Sequence, residues 1–106
     1  MVSMAKIGKL GRQIGLEFRP EKVLLFGSHA RRKPRADSDV DLLVIMPTEG
    51  KSIHQAVEIR LSLDHDIPID VLVRTPEELG KRLAMGDSFL REILEKGVIL
   101  YERDRR

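Results

Sequence analysis

Asp39-Val40-Asp41 sets two carboxylates two residues apart, directly before the apolar run Leu42-Leu43-Val44-Ile45. On an extended strand residues i and i+2 point to one face, so the two acids stand side by side. Like charges held that close repel, and a purely structural role for the pair would be costly. A divalent cation removes the repulsion, and Mg²⁺ in particular takes carboxylate and phosphate oxygens in an octahedral shell. Taken alone, an Asp-x-Asp pair more commonly closes a loop or caps a helix. Its upstream neighbourhood changes the balance. Gly27-Ser28 follows the apolar run Val23–Phe26 at once. Glycine lets another group approach the backbone, and serine offers a hydroxyl and an amide. If Ser28 opens a helical turn, its N–H groups point at an anion. A third acid, Asp70, interrupts the apolar run Ile69-Asp70-Val71-Leu72-Val73, and a charge in such a run needs a partner.

These residues must be brought together by the elements that carry them. Met4, Ile7, Leu10, Ile14 and Phe18 recur at three- and four-residue steps and predict a first helix, weakened by Gly11 and Gly15 and ended by Pro20. Val23–Phe26 and Asp41–Met46 read as buried strands. Between them lie a turn at Gly27–Arg32 and a polar loop at Lys33–Ser38. Ser52 and Gln55 suggest a capping box for a helix running to about Asp64. The alternation of Val57, Ile59, Leu61 and Leu63 would also suit a strand, and length favours the helix. Ile69–Val73 is a third strand. Thr75-Pro76-Glu77-Glu78 opens a helix with a cap residue, a first-turn proline and acids that match the macrodipole. Asp87 caps a further helix, Phe89–Lys96, which stops at Gly97. Val98–Tyr101 is an expected edge strand, and residues 102–106 an expected disordered tail. If strands one and two are adjacent and antiparallel, the end of one abuts the start of the next. If the helix after strand two is a crossover, strand three runs parallel to strand two. One topology then gathers Gly27-Ser28, Asp39, Asp41 and Asp70. The fold class expected is α/β (α+β): a small mixed sheet of three to four strands flanked by helices.

Composition bounds the rest. A chain of 106 residues fits one compact domain with no second catalytic domain. The 42% apolar and 34% charged content describes a soluble, globular protein, and three Phe, one Tyr and no Trp leave an aliphatic core. The absence of cysteine excludes disulfides, thiolate zinc sites and cysteine nucleophiles, and suits a cytoplasmic location. No apolar stretch reaches membrane-spanning length, and the first ten residues do not form a signal peptide. Net charge is +2, yet Arg31, Arg32, Lys33 and Arg35 cluster, as do Arg103, Arg105 and Arg106. They suit either solvated surface or attraction of a polyanion. With so few aromatics to stack bases, a nucleic-acid partner is not expected.

Gly27-Ser28, ten intervening residues, and Asp39-Val40-Asp41 resemble the signature of the polymerase-beta nucleotidyltransferase superfamily. The longer strings Gly27-Ser28-His29-Ala30-Arg31 and Ser38-Asp39-Val40-Asp41-Leu42-Leu43-Val44 are similar to its minimal members, the MNT proteins of bacteria and archaea. The likeness covers Lys22 to Val73, and the C-terminal third matches in general character only. The resemblance implies a nucleotidyltransferase fold and transfer of a nucleoside monophosphate, AMP from ATP, with loss of pyrophosphate. It implies that Gly27 and Ser28 hold the triphosphate. Asp39 and Asp41 would hold two Mg²⁺ ions, and Asp70 would hold the second metal or take the acceptor's proton. Arg31 matches the family's arginine and would either neutralise phosphate charge or pair with a motif acid. Stand-alone members are commonly antitoxins that adenylylate a tyrosine of an all-helical HEPN ribonuclease toxin. That resemblance therefore implies an ATP substrate and a HEPN-type protein partner.

Two other readings differ in class. In one the domain is a binding module that masks a partner and its acids are vestigial; the intact triad argues against it. In the other it extends RNA ends, which would need more basic surface than the sequence has. His29 reads as a solvent-facing spacer, His54 and His65 as surface residues, and Ser38 as a loop cap.

Overall fold

The computed structural model describes residues 2–32, 34, 38–63 and 66–104. A four-stranded sheet is built from β1 (Lys22–Phe26), β2 (Val40–Ile45), β3 (Ile69–Arg74) and β4 (Val98–Glu102), in the order β3-β2-β1-β4. β1 pairs antiparallel with both β2 and β4, and β2 pairs parallel with β3. The helices are α1 (Met4–Phe18), the short α2 (Gly27–Ala30), α3 (Ser52–Ser62), α4 (Pro76–Ala84) and α5 (Ser88–Lys96). The mixed sheet flanked by helices agrees with the expected class.

The central strands β1 and β2 carry unbroken apolar runs, Val23–Phe26 and Leu42–Ile45, because both faces of the sheet are covered there. On one face Val23, Leu25, Leu42, Val44, Val71 and Val73 pack with Ile7, Leu10 and Ile14 of α1 and Ile59 of α3. The other face carries Leu24, Leu43 and Ile45, covered by Leu90 and Ile93 of α5 with Leu79 and Leu83 of α4 beside them. Burying each of these side chains contributes about 1.5–3 kcal/mol, so the rigid core lies directly behind the strand ends that carry the acids.

The glycines expected to weaken α1 have a packing reason. A Cβ on Gly11 would stand 2.5 Å from the Leu100 side chain, and one on Gly15 would stand 2.2 Å from the Tyr101 ring. They let β4 lie close against the helix. Arg19, in the left-handed conformation at φ 49°, closes α1 one residue before Pro20, its N–H donating to Gly15 O.

At α3 the expected capping box is absent. Lys51 occupies the cap position, and the Ser52 hydroxyl instead donates to Glu78 Oε1. That bond ties the start of α3 to the first turn of α4, where Thr75 and Glu78 do form a capping box. Chain order begins the tail later than expected. Glu102 belongs to β4 and pairs with Lys22, and the Arg103 amide donates to Glu21 O. Residues 105 and 106 lie outside the described residues, as does His65. Among the described residues no helix is long and apolar enough to cross a membrane.

Candidate active site

The register of the sheet decides which side chains meet. Phe26 lies opposite Asp41 across the antiparallel pair, and Asp41 lies opposite Asp70 across the parallel pair. Neighbouring strands are about 4.8 Å apart, so Phe26, Asp41 and Asp70 form one row at the same end of three strands. Asp39, two residues before Asp41 and just outside β2, is exposed at that end. The three acids expected to share a site therefore come together.

Gly27 begins α2 at φ +76°, a conformation that side chains rarely adopt. A Cβ there would stand 2.2 Å from Asp41 Oδ2. The Gly-Ser turn and the acidic row thus share one small space, which any other residue at 27 would fill. The first amides of a helical turn have no partner within it, and those of α2 open beside the acids. Arg31 caps the far end of α2 and is exposed.

Electrostatics single out Asp41. Burial, then Asp70, then Asp39 raise its carboxyl above the ordinary 3.8, while His29 and Arg31 partly offset the rise. A half-buried acid crowded by two others stays protonated more readily than a free one. Among the described residues, no three acids or histidines form a ready-made metal cage. Asp39 and Asp70 both lie near enough to Asp41 to act on its charge. Neighbouring carboxylates suit Mg²⁺, which binds through one or two of them and completes its shell with substrate phosphates and water. The close Gly27–Asp41 approach leaves phosphate and ion the same space to occupy.

His29 corrects the sequence reading. It is buried, with 4% of its surface exposed, and its Nε2 lies 3.2 Å from Ser38 O. The carbonyl can only accept, so Nε2 carries the proton. The bond draws the end of the β1–β2 loop back onto α2, one residue before Asp39. The signal for this role is faint in sequence: a histidine on a four-residue helix has no period to betray burial. Ser38 acts there through its backbone. His54 is exposed, as expected.

Residues 12–106 match the family described as Polymerase beta, Nucleotidyltransferase. The chain belongs to this nucleotidyltransferase family. A protein of Methanocaldococcus jannaschii named "Putative protein adenylyltransferase" is 31% identical over 83 residues, 78% of this chain and 80% of its own length. Three solved structures share the fold. One is described as a putative nucleotidyltransferase from Sulfolobus solfataricus, with TM-score 0.60, 18% identity, and coverage of 92% of this chain and 78% of that one. Another is a toxin-antitoxin structure with AMP-PNP, with TM-score 0.57, 20% identity, and coverage of 97% and 76%. A mutant toxin-antitoxin complex, MntA-HpeT, aligns at TM-score 0.54 and 19% identity, covering 97% and 75%. The chain is a nucleotidyltransferase, an enzyme by family.

Proposed function

We propose that this protein transfers AMP from ATP to a hydroxyl of a protein acceptor, a tyrosine of a HEPN-type toxin, and so acts as an antitoxin. The observation that carries the reading is the juxtaposition of Gly27 with Asp41 in a row shared with Asp70. The named adenylyltransferase relative supports the protein acceptor, and the toxin-antitoxin neighbours support the partner.

In this reading Gly27 and Ser28 hold the β- and γ-phosphates, and the exposed Arg31 neutralises part of their charge. Asp39, Asp41 and Asp70 would hold two Mg²⁺ ions, which, when bound, neutralise phosphate charge on both sides of the displacement. His29 fixes the loop end that sets Asp39. The acceptor oxygen forms a bond to the α-phosphorus, the bond from that phosphorus to the bridging oxygen breaks, and pyrophosphate leaves. Asp70 receives the hydroxyl proton. ATP and a protein hydroxyl become an adenylylated protein, pyrophosphate and a proton.

The test is to incubate the protein with ATP, Mg²⁺ and a HEPN toxin and map modification by mass spectrometry. An AMP adduct on a toxin tyrosine, with restored growth of cells making the toxin, is expected. Toxin neutralised equally well without nucleotide, or by an Asp41→Asn variant, would show masking by contact instead.

A further inference from the structure

β3 is an edge strand. Alongside it, α3 and β3 enclose an open groove of about 380 Å³ that runs the length of the strand, from Asp70 to Arg74. The helix contributes Ile53, Val57 and Arg60 to it. Ile53 and Val57 belong to a stripe with Leu61, each four residues from the next, at 68%, 42% and 76% exposure. Residues four apart share one helix face, so α3 carries a second apolar face turned to solvent, in addition to the one that buries Ile59. An exposed apolar patch beside a strand edge that pairs with no further strand among the described residues, and on which Arg74 bonds Val73 O, is a surface made for another polypeptide.

The direction of the reaction says which polypeptide. In an in-line displacement the nucleophile arrives opposite the leaving group. The Gly-Ser turn that would hold the leaving pyrophosphate follows β1, and the row of acids runs from there through Asp41 to Asp70 on β3. The nucleophile therefore comes from the β3 side, where the groove ends at Asp70. Charge narrows the choice. Ser52 is bonded to Glu78, just beyond the end of β3, so α3 runs back along the strand. Arg60 therefore stands toward Asp70, while Arg74 closes the far end.

We propose that this groove is the docking track for the acceptor: an extended segment with apolar residues set against Ile53 and Val57, a carboxylate for Arg60, and its hydroxyl delivered to Asp70. The proposal rests on the transfer reading above and names how the substrate is recognised.

The test uses the full chain, isotopically labelled for NMR, and two peptides. One is tyrosine followed by alternating Glu and Val; the other has Lys in place of each Glu. Without nucleotide, the Glu peptide should shift the amide resonances of Ile53, Val57, Arg60 and residues 70–74. Ile53→Glu and Arg60→Glu should each weaken its binding at least tenfold while leaving ATP-Mg²⁺ binding unchanged. Arg60→Glu should also gain affinity for the Lys peptide. Absence of binding, shifts centred on another surface, or equal affinity for both peptides would overturn the proposal. So would a dimer in solution that Ile53→Glu dissociates, since a second copy would then own the groove. Because the shifts are read without nucleotide, a wild type that fails to bind ATP would count against the transfer reading alone.

Discussion

Asp41 is the residue on which geometry and charge converge. Its carboxyl is raised above 3.8 by burial and by the neighbouring Asp70 and Asp39. A group that holds its proton more tightly when folded adds stability that is fully present below its unfolded value and is lost as pH rises through its folded value. In chelator, the wild-type melting temperature should therefore carry a downward component as pH climbs above 3.8. Asp41→Asn should remove that component, melt at or above the wild type near pH 7, and abolish transfer; a variant that unfolds would make the residue structural. Asp39→Asn should likewise abolish transfer and leave the fold intact. Asp70 calls for a different measurement. A group acting only in the transition state lowers turnover without raising the Michaelis constant. Asp70→Asn should bind ATP-Mg²⁺ within a few-fold of the wild type by calorimetry, while single-turnover transfer falls about 100-fold or more, as for a lost general base. Loss of ATP binding would instead make it a primary ligand. The nearness of Asp39 to Asp41 was legible from their spacing, and that of Asp70 to Asp41 from the expected crossover; Asp70 is exposed, so burial is not what marks it. The burial of His29 was not, because a single tertiary hydrogen bond to Ser38 O decides it.

The elements were legible wherever period and caps agreed. α1, β1, β2 and β3 follow apolar spacing, and Thr75 and Asp87 cap the helices they precede. The start of α3 departs from expectation because Ser52 lies inside the first turn, with Lys51 at the cap, and its hydroxyl donates to Glu78, 26 residues away. Local sequence cannot display that contact. The same holds for Gly11 and Gly15, which look like flaws in a helix until β4 is set against them. Gly15→Val should accordingly destabilise by about 1–3 kcal/mol, the cost of overpacking. With about 4–8 °C per kcal/mol for a domain near this size, the loss should be plain in a thermal melt. An unchanged melting temperature would mean that Tyr101 does not need that contact.

For the molecule as a whole, sheet order would give the proposed reaction its direction: phosphates by β1, acids across β2, and acceptor at the outer edge of β3. The parallel and antiparallel pairings were deducible from connection lengths, since a ten-residue return and a helical crossover each permit one arrangement. The exposed second face of α3 was not, because an apolar residue on a helix reads as core until the sheet beneath it is seen to be covered. The most direct test of this organisation is to supply ATP labelled on the α- or the γ-phosphate, with Mg²⁺ and a HEPN toxin, and follow both labels in one turnover. The α-label should become covalently attached to the toxin while the γ-label leaves in pyrophosphate, and Asp41→Asn should stop both. Attachment of the γ-label, or release of inorganic phosphate in place of pyrophosphate, would contradict nucleotidyl transfer at this site.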